Sequence, residues 1–148
     1  MVTVSIATVT DIPALIPLLS SLFSQEAEFQ PDVNKQTAGL QAIITQPHVG
    51  AILVAREQEK LIGMVNILFT ISTAQGGLVA ILEDMVVDIN YRGRGIGSEL
   101  ITRAIAFCRA KGISRITLLT DADNYSAIHF YELHGFAKSP MIPLRRLI

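Results

Sequence analysis

The chain has no tryptophan, one cysteine and only three histidines among its 148 residues. A lone Cys108 can form no internal disulfide, which fits a reducing cytoplasm. It lies in a helical pattern and reads as a small buried apolar residue. The histidines give no ligand cluster, and no metal is expected: His129 and His134 stand five apart, the wrong spacing for one helix face, and His48 falls in a surface loop. No apolar run reaches 18 residues, so no membrane span is expected. The first ten residues carry no basic stretch followed by an apolar one and do not read as a signal peptide. Charged residues are sparse, 17% of the chain, and sum to −1. Arg145-Arg146 is the one basic pair, so nucleic-acid binding has no electrostatic support. Half of the residues are hydrophobic, which argues against disorder. The length suits one domain over 1–148 with a real core.

Patterning predicts a short strand over Val2 to Ala7, then a helix beginning near Asp11 and capped by Thr8 or Thr10. Pro13 is tolerated in its first turn. Ile12, Leu15, Ile16, Leu19, Leu22 and Phe23 give that helix one apolar face, and Pro17 marks a kink or an irregular turn within it. Pro31-Asp32 reads as a turn before a second helix, Asn34 to Thr45. Gly50 to Arg56 and Leu61 to Thr73 read as a hairpin, and Leu78 to Asp88 as the next strand. A helix over Ser98 to Lys111, a strand over Ile113 to Thr120, a helix over Tyr125 to His134 and a last strand over Phe136 to Leu147 complete the order. Gly112 and Gly135 end the two helices. The fold class is α/β with a mixed sheet.

Between the strand ending near Asp88 and the helix after it lies Tyr91-Arg92-Gly93-Arg94-Gly95-Ile96-Gly97. Three glycines at every second position, two arginines and a following helix N-terminus suit a phosphate-bearing ligand. The Walker A pattern fails for want of a Lys-Ser/Thr pair. Gly93, Gly95 and Ser98 approach the dinucleotide pattern, with Asp121 or Asp123 downstream, but too little chain follows for that fold. A purely structural glycine turn stays open.

Arg92-Gly93-x-Gly95-x-Gly97 resembles the Gln/Arg-x-x-Gly-x-Gly/Ala signature of the GNAT superfamily of acetyl-CoA-dependent N-acetyltransferases. Leu82-Glu83-Asp84-Met85-Val86-Val87-Asp88 looks like that family's central strand. Asn124 to Phe136, with Asn124, Tyr131 and Gly135-Phe136, looks like its next motif. Ala7-Thr8-x-x-Asp11 resembles its opening turn, although Ser5 stands where a basic residue is common. The resemblance spans essentially the whole chain and implies a mixed, mostly antiparallel twisted sheet with about four helices. Two central parallel strands, here Leu82–Asp88 and Ile113–Thr120, would splay into a V.

The resemblance also implies roles. Met85, Val86 and Val87 would pair with the pantetheine arm of acetyl-CoA along a strand freed by a bulge. The N–H groups of Arg92, Gly93, Arg94, Gly95, Ile96, Gly97 and Ser98 would hold the pyrophosphate, and Asn124 the pantetheine. Glu83 would be the base and Tyr131 the acid. Asp84 would contact substrate or serve the sheet. Strand alternation points Glu83 and Asp84 to opposite faces unless a bulge re-aims them. Glu26, Glu28, Phe29 and Asp32 make an acidic, partly aromatic region that suits a cationic small-molecule amine. The expected activity is acetyl transfer to a primary amine. The alternatives are a protein N-terminal or lysine acetyltransferase, a non-catalytic acyl-CoA-binding module, or a nicotinamide or flavin oxidoreductase. The apolar segment Met141 to Ile148 would either finish the core or pair with a second copy in a homodimer.

Overall fold

The computed structural model describes residues 1–26 and 28–148. The chain opens with β1 (Val2–Ile6), whose Val2 and Val4 turn inward. A first 3-10 turn, Val9–Asp11, is closed by Asp11 Oδ2, which accepts the Thr8 N–H at 2.9 Å. α1 (Ile12–Gln25) follows and runs on through Pro17. Pro17 removes one helix hydrogen bond, a loss of about 3 kcal/mol in a helix interior. Burial of Ile12, Leu15, Leu18 and Leu19 holds the helix in place. α2 (Val33–Ile44) starts where Asp32 accepts the Lys35 N–H at 3.1 Å. Buried Gln36 ties the two helices together, donating to Ile16 O at 3.3 Å and Ser20 Oγ at 3.1 Å.

β2 (Gly50–Glu57) and β3 (Lys60–Ser72) form the predicted hairpin, and β4 (Gly77–Val87) continues the antiparallel run. A second 3-10 turn, Ile89–Tyr91, then α3 (Ile96–Ala110), β5 (Ile116–Leu118) and α4 (Tyr125–Leu133) complete the described elements. The sheet order is β1-β2-β3-β4-β5, antiparallel except for the parallel β4–β5 pair. It is the mixed sheet the residues predict, with four helices.

Each face of the sheet carries its own core. Leu53, Val65, Ile67, Ala80 and Leu82 pack with Leu100, Ile101, Ala104 and Cys108 of α3. Ile52, Val54, Met64 and Val86 pack with α1 and α2. Leu82 and Val86 would share a face in a regular strand, yet they belong to different cores. The register explains why. Asn66 pairs with Asp84 and Ile67 with Leu82, so Glu83 is an extra residue on β4. This bulge reverses the alternation, putting Asp84 and Val86 on the α1/α2 side and Met85 and Val87 on the α3 side.

Two expectations are corrected. β5 has only three residues, Ile116–Leu118, against the eight of Ile113 to Thr120. The predicted last strand, Phe136 to Leu147, is neither strand nor helix. Pro140 and Pro143 lack the N–H a ladder requires, and a three-residue β5 offers little edge to pair with. Nor does Met141 to Ile148 finish the core: Met141, Ile142, Leu144, Leu147 and Ile148 are exposed.

Candidate active site

β5 joins β4 through three residue pairs only, Ala80–Ile116, Ile81–Thr117 and Leu82–Leu118. Beyond Leu82 the two strands part. From Glu83 to Val87, β4 keeps β3 on one edge and, among the described residues, has no strand on the other. This is the V-shaped splay, and it begins at the bulge. The backbone N–H and C=O groups on the free edge are open to an extended ligand, as they are on any sheet edge.

A cleft of about 260 Å³ lies beside this edge. Its walls bring together Glu83, Asp84 and Met85 of β4, Asn124 and Tyr131 at α4, and Glu26, Glu28 and Phe29 after α1. Asp121, Pro143 and Arg145 also line it. Glu83 and Asp84 face one cleft although they are neighbours on a strand, because the bulge re-aims them. Asp32 takes no part; it caps α2.

The carboxylates crowd one another. Burial, then Asp84, Asp121 and Glu83, push the Glu26 carboxyl above its usual range. Desolvation on the cleft wall, then Asp84, raise Glu83. Burial raises Asp84, against a hydrogen bond that Asn66 Nδ2 donates to its Oδ2 at 3.0 Å. The other amide atom, Asn66 Oδ1, is buried without a partner. Tyr131 packs edge-on against Phe130 and Phe136, with ring centroids 5.3 and 5.7 Å away. Burial, then Glu26, push its phenol up to about 12.

The glycine loop lies outside the cleft and meets it through Met85. A Cβ on Gly97 would stand 3.4 Å from Met85 Cε and 3.5 Å from Phe130 Cζ, so glycine lets the start of α3 close on β4 and α4. Gly93 and Gly95 have φ of 76° and 78°, the left-handed region that favours glycine. Gly95 is the N-cap of α3, and the first helical bond runs from Glu99 N–H to Gly95 O at 3.0 Å. The N–H groups of Ile96, Gly97 and Ser98 precede that bond and point out of the helix end. The arginine side chains are tied back: Arg92 Nε donates to Val87 O at 3.1 Å, and Arg94 pairs with Glu57 at 2.5 Å. The loop therefore offers a ligand its backbone more than its guanidinium groups.

Asn124 is the N-cap of α4; its Oδ1 accepts the Ala127 N–H at 3.2 Å. Its amide nitrogen makes no hydrogen bond among the described residues. Val86 is buried and Val87 packs towards α3, so both present only backbone to the splay. His134 shares a hydrogen bond with Ser98 Oγ at 3.1 Å and ends α4. Among the described residues no group of three or more His, Cys, Asp or Glu side chains is placed to hold a metal, and no helix is long and apolar enough to cross a membrane. Sequence reasoning missed Asp121 and Arg145 as cleft residues. Asp121 followed a strand predicted too long, and Arg145 sat in a strand that does not form.

A model of the Acetyltransferase (GNAT) family matches residues 14–136. The uncharacterized N-acetyltransferase YhfO of Bacillus subtilis (strain 168) is 30% identical over 133 residues, covering 88% of this chain and 86% of that protein. The chain spans only about a third of the length of several other relatives it matches. Among solved structures, a possible acetyltransferase from Clostridium difficile 630 has a TM-score of 0.90 at 17% identity, over 100% of this chain and 98% of that one. An aminoglycoside acetyltransferase from an uncultured soil metagenomic sample, in complex with sisomicin, has a TM-score of 0.81 at 22% identity, over 99% and 96%. These two share the fold. With most of its length matched by the family and its splayed strand in place, the chain belongs to the GNAT family of acetyltransferases.

Proposed function

We propose that residues 1–148 form one catalytic domain that transfers the acetyl group of acetyl-CoA to a primary amine of a small cationic molecule by direct attack. The observation that carries this reading is the bulge at Glu83. It frees the β4 edge and sets two carboxylates opposite Tyr131 on one cleft wall. The free edge and the exposed N–H groups of the α3 N-terminus both fit acetyl-CoA, which supplies a thioester carbon open to attack.

On this reading the backbone of Met85, Val86 and Val87 holds the pantetheine arm, and a free N–H near Val86 stabilises charge on the acetyl oxygen. The N–H groups of Arg92 to Ser98 grip the pyrophosphate. Asn124 donates its free amide to the pantetheine. A lysine-like ammonium has a pKa of about 10.4 and cannot attack while protonated. Glu83, raised and thus a stronger base than an ordinary carboxylate, accepts its proton directly or through water. The neutral nitrogen then bonds to the acetyl carbon as the C–S bond breaks. Tyr131 gives its proton to the departing sulfur, and the second proton that the nitrogen sheds as it becomes an amide returns to the Tyr131 oxygen, directly or through water. With its phenol pushed up to about 12, Tyr131 meets the sulfur fully protonated. A cationic acceptor beside Glu26 offsets one cause of that rise and eases the transfer. Five carboxylates and one arginine line the cleft, a balance that favours a cation. The sisomicin-bound aminoglycoside acetyltransferase of the same fold supports a small amine. The exposed apolar tail suits a homodimer, which sedimentation equilibrium would test, and the single buried Cys108 suits the cytoplasm.

The test is free-thiol release from acetyl-CoA against cationic amines, neutral amines and peptides with a free N-terminus or lysine. Cationic small amines should turn over fastest. Equal rates with neutral amines would remove the cationic acceptor, and a preference for peptides would favour a protein acetyltransferase. Tyr131→Phe should lower kcat about 100-fold with acetyl-CoA affinity largely kept. Unchanged turnover would take Tyr131 out of this role.

A further inference from the structure

One cation of the chain sits inside the acidic cleft. Arg145 comes from the tail, lies on the cleft wall with Pro143, pairs with Glu28 and stands over the Phe29 ring, 5.9 Å from its centroid. Phe29 is braced by Phe23, with centroids 5.9 Å apart and rings tilted by 56°. A positive charge between a carboxylate and an aromatic face is the arrangement in which an alkylammonium group is bound. Little else holds Arg145 there. The tail forms no helix or strand, and its neighbours Met141 and Leu144 are 84% and 91% exposed, so apolar burial does not anchor it.

We infer that Glu28 and Phe29 form a second cation subsite of the acceptor cleft, filled in the free protein by Arg145, and that the acceptor is a di- or oligoamine. This rests on the acceptor reading above. One nitrogen would react between Glu83 and Tyr131, while a second, kept as an ammonium, takes the place of the Arg145 guanidinium. The exchange preserves the chemistry of the subsite, since charge pairing and the ring face serve either cation. It is also easy: an exposed ion pair holds weakly, and a substrate anchored at its other end presents its second charge at high local concentration. The tail then acts as an internal competitor for the second ammonium alone, and a monoamine, which has none, gains nothing at the subsite.

The experiment measures KM for an α,ω-diamine series and for monoamines of matched length, with wild type, Glu28→Gln and Arg145→Gln. The best diamine should have a KM well below its matched monoamine. Glu28→Gln should raise the diamine KM about fivefold more than the monoamine KM. Arg145→Gln should lower the diamine KM about twofold or more. Equal effects of Glu28→Gln on both amine classes would overturn the subsite, and a higher diamine KM in Arg145→Gln would overturn the competitor. Calorimetric titration of the diamine into the protein without acetyl-CoA separates the two readings. If no amine is acetylated, the acceptor reading falls; diamine binding weakened by Glu28→Gln would still uphold the subsite, and absence of diamine binding to wild type would overturn it.

Discussion

Asp84 and Asn66 show what a carboxyl placed on the cleft wall costs in stability. Asp84 is a partly buried acid with a raised pKa, and Asn66 Oδ1 beside it lacks a donor. A folded-state carboxyl held above its unfolded value adds nothing unfavourable at low pH. Its cost appears as pH rises through the folded pKa. Asp84→Asn removes that charge and brings a donor for Asn66 Oδ1. It should stabilise the fold at neutral pH by about 1 kcal/mol, raising Tm by about 3 °C, and the gain should vanish at acid pH where Asp84 is protonated. Melts at two pH values check this. Glu83, raised in the same way, should set the acid limb of the kcat/KM profile above the ordinary carboxylate range; Glu83→Gln should flatten that limb and lower the rate about 100-fold. Asp11 has the opposite sign. Burial pushes its carboxyl up, but the Thr8 N–H and Arg56, 2.5 Å away, outweigh burial and leave the pKa lowered. Its contribution is complete above the unfolded value and is lost as pH falls through the folded one. Asp11→Ala should cost about 2 kcal/mol at pH 7 and less in acid, read by denaturant unfolding. Glu83, Asp84, Asn124 and Tyr131 were legible in the sequence because they stand in ordered motifs. Asp121 and Arg145 were not, since a lone charge in a loop carries no period and no motif.

At the scale of elements, the glycine loop and the helix after it behave as one piece. Gly95 is both the N-cap of α3 and a left-handed residue, so a side chain there strains the backbone just where the N–H groups must point outward. Gly95→Ala should destabilise the protein by about 1 kcal/mol and weaken acetyl-CoA binding more than amine binding, measured by calorimetry. The helices and long strands were readable to within a few residues because their apolar periods are long: α1 and α3 carry many periodic positions, and β2 to β4 are β-branched and continuous. Short or irregular pieces were not. Nothing local distinguishes the three residues of β5 from the apolar residues beside them. The segment after Gly135 has strand-like composition, but its two prolines decide against a ladder. The bulge itself was foreseen only through the resemblance, since alternation alone would have sent Glu83 and Asp84 to opposite faces.

For the molecule as a whole, the sheet separates two cores, one under α3 and one under α1 and α2, and β4 is the strand whose two halves face them differently. The free edge of β4, the start of α3 and the start of α4 converge on the splay, so a molecule bound there would link elements from both sides. Acetyl-CoA at one hundred times its Kd should raise stability by about 2.7 kcal/mol, or Tm by roughly 5 °C or more. A melt unchanged by acetyl-CoA would argue against the splay as its site.

Glu83 is supernumerary to the sheet. Remove it, and Leu82 would precede Asp84 in unbroken alternation, with Leu82 still opposite Ile67, Asp84 still opposite Asn66 and every apolar side chain of β4 still in the core it now occupies. The architecture would close over the gap as an ordinary strand. A one-residue deletion, usually ruinous inside a buried strand, should here yield a folded and inert protein whose circular dichroism matches the parent. The residue on which we place the chemistry is the one the architecture can do without.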